Sequence, residues 1–121
     1  MDYQSTVTIE SQTCAGVRFT IKRLSFGRRM ELVRAVRETA HALEFLEAGN
    51  EPKDKLEAAL VAAEVDELYL KWGLESVEGL VIDGKEATAD LLIGRAPENL
   101  FREVVGAIKS ECFLTDAERK N

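Results

Sequence analysis

One histidine, two cysteines and two prolines in 121 residues leave little material for metal or covalent chemistry. Structural zinc takes about four Cys or His ligands at short local spacing, and Cys14, Cys112 and His41 stand far apart. Two distant cysteines in a chain long enough to bury a core are expected to be reduced thiols. No apolar run approaches the ~20 residues of a membrane span, and the first residues lack the basic-then-apolar layout of a signal peptide. The expected compartment is therefore the cytoplasm, with no membrane partner. The eight glycines form neither a dinucleotide-binding nor a phosphate-loop pattern, so no cofactor is expected.

Charge is present in quantity but unevenly. The net charge is −6. Residues 1–50 carry seven Lys/Arg against six Asp/Glu, and residues 51–121 carry nine against sixteen. An acidic chain repels a phosphate backbone unless a local basic face overcomes the total, so nucleic acid is not an expected partner. Such a face is confined to Lys22, Arg23, Arg28, Arg29, Arg34 and Arg37. Pairing with the acidic second half of the same chain is the leading reading of this cluster, with an acidic partner protein second.

Hydrophobic periodicity gives an α+β fold in one domain spanning residues 1–121. TVTIE and VRFTIKR alternate apolar and polar residues, which predicts strands over about 6–10 and 17–23 joined as a hairpin. Ser25 is placed to cap a helix over about 26–48, with Phe26, Met30, Val33, Val36, Ala40, Leu43 and Leu46 as its apolar stripe. Pro52 opens a second helix over about 53–72, expected to pack antiparallel to the first. That helix is apolar on two sides: Leu56, Leu60 and Ala63 form one stripe, and Val61, Val65, Leu68 and Trp72 another. It is either central to the fold or covered by a partner. Asp83-Gly84 predicts a short hairpin over about 77–87. Thr88 caps a helical turn, and a further helix over about 97–113 carries Leu100, Phe101, Val104, Val105, Ile108 and Cys112. Thr115 and Glu118 have capping-box spacing.

Catalysis needs a nucleophile, a base and an element that orients them. His41 has no fixed carboxylate or nucleophile beside it, and acidic pairs such as Glu44 with Glu47 read as solvated helix faces, so no enzymatic activity and no metal site are expected. What remains is protein binding. Arg28 and Arg29 are the candidate cations for it. Tyr69 and Trp72 either close the core or anchor a partner, as aromatic residues at a helix end do.

The stretch YLKWGLESVEGLVIDGKEATADLLIGRAPENLFREVVGAIKSECFLTDAERKN resembles the tail assembly chaperones of long-tailed bacteriophages and prophages. The shared features are an aromatic-Gly-Leu step, a G-L-x-I-D-G hairpin and a terminal Glu-Arg-Lys-Asn run; FTIKRLSFGRR adds to them. The resemblance implies a protein that acts in the host-cell cytoplasm, binds the tape-measure protein, keeps it soluble and helps recruit tail-tube subunits. Self-association is compatible with that role. The alternative from the residues alone is a small acidic regulator occupying a basic site on a partner protein.

Overall fold

A computed structural model describes the backbone of residues 1–120 and the side chains of residues 1–112. Strand β1 (Thr6–Glu10) pairs antiparallel with β2 (Arg18–Lys22), Val7 opposite Ile21 and Ile9 opposite Phe19. The long helices α1 (Phe26–Glu47) and α2 (Pro52–Gly73) follow. Ser25 caps α1 by accepting from the Arg28 N–H at 3.2 Å, and Pro52 occupies the first turn of α2. Strands β3 (Leu74–Glu78), β4 (Val81–Ile82) and β5 (Lys85–Glu86) precede α3 (Ala89–Gly94) and α4 (Glu98–Lys120). The fold is α+β, as the periodicity predicts.

The sheet corrects that reading at one point. Val77 does not open the second hairpin but lies in β3, opposite Phe19, so β2 is the centre of a three-stranded sheet ordered β1-β2-β3. The register of β2 with β3 shifts between Thr20, opposite Ser76, and Ile21, opposite Leu74. Glu75 is the extra residue of that irregularity, which puts Leu74 and Val77 against the core at a spacing that simple alternation misses. The second hairpin is only β4 with β5, turning at Asp83 (φ 50°) and Gly84 (φ 80°). Two left-handed residues in a two-residue loop match the strand twist.

The core lies between the inner face of the sheet and α4. Phe19, Ile21, Leu70, Leu92, Leu100, Val104 and Ile108 are all at most 1% exposed. Helix α4 runs beyond the expected end at residue 113, and the Thr115/Glu118 capping box rests on side chains outside the described residues. Glu103 ties this helix to the turn after β1: its carboxylate accepts from Ser11 Oγ at 2.6 Å and from the Gln12 N–H at 2.7 Å. Burial pushes the Glu103 carboxyl up, but the hydrogen bonds from Ser11, Gln12 and Thr13 outweigh it and hold the group below its ordinary value of 4.5.

A lowered folded pKa contributes stability that is present above 4.5 and lost as pH falls through the folded value. Glu103→Gln should therefore destabilise the fold by about 1–2 kcal/mol near neutrality, the scale of hydrogen bonds to a charged group reduced by solvent screening at this partly exposed site. In urea unfolding the gap between variant and parent should narrow below the ordinary carboxylate range. A gap equally wide at acid pH would exclude the carboxylate as its source.

Candidate functional site

Helices α1 and α2 form an antiparallel hairpin whose base joins the core and whose far end carries little buried surface. In α1 only Leu32 is buried, with Val36, Leu43 and Leu46 half-buried at helical spacing along the side that meets α2. The expected apolar stripe of α1 is thus corrected in its first half. Phe26 is 78% exposed, and Met30 and Val33 also face outward, because they lie about a quarter turn or more around the helix from Leu32.

Helix α2 separates its two stripes. Val61 and Trp72 are buried, with Val65 and Leu68 half-buried, on the side toward α1 and the core. Leu56 (76% exposed) and Leu60 (55%) lie roughly opposite, with Ala63 also exposed. Toward the base this outer stripe runs into an open groove of about 290 Å³ between α2, α3 and α4. Ala63, Ile93, Ala96 and Phe101 form its apolar walls, and Glu67, Glu98 and Arg102 its rim. Arg102 is held by Glu98 at 2.9 Å.

The basic cluster divides. Lys22 reaches Glu75 at 3.9 Å and Arg23 reaches Glu111 at 3.7 Å, so its strand end pairs with the acidic second half of the chain. The Arg28 guanidinium donates to the carbonyls of Ser5 and, at 3.0 Å, Arg23. Its hydrogen bonds fasten the start of β1 to α1. Arg29 is half-buried nearby on α1. Arg34 and Arg37 are exposed and have no hydrogen bond or ion pair among the described residues.

Tyr69 and Trp72 close the base of the hairpin. Trp72 belongs to the buried core, and its indole N–H has no partner among the described residues. Tyr69 is half-buried, with Lys109 Nζ 5.3 Å from its ring centre, and Lys109 is itself bound to Asp66 at 2.6 Å. Burial, followed by Coulombic interaction with Cys112 and Asp66, raises the Tyr69 phenol above its ordinary value. Of the four candidate residues, Arg28 and Trp72 thus have structural duties, and the exposed apolar surface lies elsewhere on the same hairpin.

No protein-family model, curated protein or solved structure matches this chain. The chemistry of the surface is therefore what bears on function. Among the described residues no group of three or more His, Cys, Asp or Glu is placed to hold a metal ion, and no helix is long and apolar enough to cross a membrane. His41 is exposed on α1, and Cys14 and Cys112 form no disulfide among the described residues. Sequence reasoning named Leu56, Leu60 and Ala63 as a second stripe, but not Phe26, Met30 and Val33 as surface. The spacing of the latter matches a core stripe, and only their phase relative to Leu32 tells them apart.

Proposed function

We propose that this protein is a tail assembly chaperone that holds a helical segment of a tape-measure protein and helps recruit tail-tube subunits around it. The observation that carries this reading is the apolar groove between α2, α3 and α4. Its Ala63, Ile93 and Phe101 lining suits the apolar face of an amphipathic helix, which is bound through apolar residues at three- and four-residue spacing. An acidic exterior keeps a loaded complex dispersed. The resemblance of residues 69–121 to such chaperones supplies the identity of the client, and nothing in the reading calls for catalysis.

Co-expression with a tape-measure protein of a long-tailed phage tests the reading. The chaperone should raise the client's soluble yield several-fold and co-purify with it. Ala63→Arg, which fills the groove from an exposed helix position, should abolish co-purification while leaving the circular dichroism spectrum unchanged. A client equally soluble and unbound with or without the chain would overturn the proposal.

A further inference from the structure

The two exposed helix faces of the hairpin share one template. On α1, Phe26, Met30 and Val33 are followed by Arg34 and Arg37; on α2, Leu56, Leu60 and Ala63 are followed by Glu64 and Glu67. Each α2 residue lies thirty positions after its α1 counterpart, so apolar side chains occupy matching sites and the two charges that follow have opposite sign. Phe26, Met30, Val33, Leu56 and Leu60 are among the exposed large hydrophobics. None of the four charged residues makes a hydrogen bond or ion pair among the described residues. Because α1 and α2 run antiparallel, the α1 face cannot reach the α2 face of its own chain in this register.

We infer that the occupant of these faces is a second copy of this chain, the α1 face of one copy packing in parallel register on the α2 face of the next. Apolar residues then meet in the turns containing Phe26 to Val33 and Leu56 to Ala63, while Arg34 and Arg37 come opposite Glu64 and Glu67. The pairing covers side chains that would otherwise stay in water and gives four unpaired charges their counterions.

The contact joins two different patches. Each stripe lies about a quarter turn or more around its own helix from the buried residues Leu32 and Val61, and on antiparallel helices the two therefore point away from one another, so one two-fold contact does not bury both. Such an interface is heterologous and leaves a free face at each end of a growing row. About three helical turns per face fall short of the ~800 Å² per partner of a standard interface. Association is therefore weak between two copies and grows with concentration. This inference does not depend on the chaperone reading, since it needs no client and shares only Ala63 and Glu67 with the groove.

Sedimentation of the purified chain over a wide concentration range tests it. The average mass should rise continuously past that of a dimer as concentration approaches about 1 mM, the affinity range of small contacts. Arg34→Glu with Arg37→Glu should weaken assembly by at least about tenfold, as should Glu64→Arg with Glu67→Arg, because each puts like charges face to face. Mixing these two double variants, or placing all four substitutions in one chain, should restore it. A mixture of the Arg34/Arg37 variant with Leu60→Glu should stop at a one-to-one dimer, since each contributes one intact face. Arg34, Arg37, Leu60 and Glu64 are exposed and Glu67 is half-buried, and unchanged circular dichroism would confirm that the variants fold. A chain that stays monomeric, a dimer that never grows, or failure of the charge swap to restore assembly would each overturn the inference. Monomeric chain whose face variants lose only captured tape-measure protein would assign the faces to the client instead.

Discussion

Trp72→Ala should lower folding stability by about 3–5 kcal/mol, the range for truncating a large buried aromatic. Trp72 is 9% exposed within the same buried cluster as Leu70 and Ile108, at the point where α2 gives way to β3. Losing it opens a cavity between the helical hairpin and the sheet, and a small domain with a total stability of roughly 5–15 kcal/mol feels such a loss strongly. Trp72→Phe should cost less than half as much. It keeps most of the ring contact and removes an indole N–H that has no partner among the described residues.

Denaturant unfolding of the two variants, alongside capture of the client that the proposed function assigns, separates core from anchor. Capture by the Ala variant should fall only in proportion to its folded fraction. If it unfolded at the parent's midpoint yet no longer captured the client, Trp72 would be a binding residue and its burial incidental.

The opening hairpin, α1 and α2 were legible because their signals are local: period-2 alternation in β1 and β2, Ser25 before α1, Pro52 at the start of α2. Strand β3 was not. Its apolar residues, Leu74 and Val77, are three apart, and they share a face only because the ladder with β2 is irregular at Glu75. Nothing inside LESVE announces this, since the irregularity depends on the partner strand.

The same distinction governs the site. Periodicity found the apolar stripes of both helices, but a stripe that faces water has the same period as one that faces the core. On α1 the two overlap, and Leu32 rather than Met30 or Val33 turned inward because α2 and the core lie on that side. On α2 both stripes were visible, and their assignment waited on where α1 packed. The thirty-residue match of Phe26–Arg37 with Leu56–Glu67 is present in the sequence from the start. It gains meaning only once both stripes are known to be exposed and their charges unpaired. The basic cluster, conversely, looked like one feature and proved to be three: ion pairs at Lys22 and Arg23, a backbone clamp at Arg28, and unpaired charge at Arg34 and Arg37.

Gly79→Ala should be nearly as damaging as the loss of Trp72, at about 3 kcal/mol or more, through backbone alone. Gly79 follows β3 directly, has φ of 81°, and packs so closely on the β1–β2 turn that an added Cβ would lie 2.2 Å from the Gly16 carbonyl oxygen. The left-handed conformation penalises a side chain by roughly 1–2 kcal/mol. The clash adds to this because backbone, unlike the end of a flexible side chain, cannot swing aside. Relief requires the end of β3 to draw away from the turn that Glu103 anchors, so amide exchange in β3 should accelerate well before α4 responds. Gly84→Ala is the matched control: its φ is 80°, but nothing lies within 4 Å of an added Cβ, so it should show the conformational penalty without the clash. Equal destabilisation by the two substitutions would mean that the close approach of Gly79 to Gly16 contributes nothing, and that β3 is held by its ladder with β2 alone.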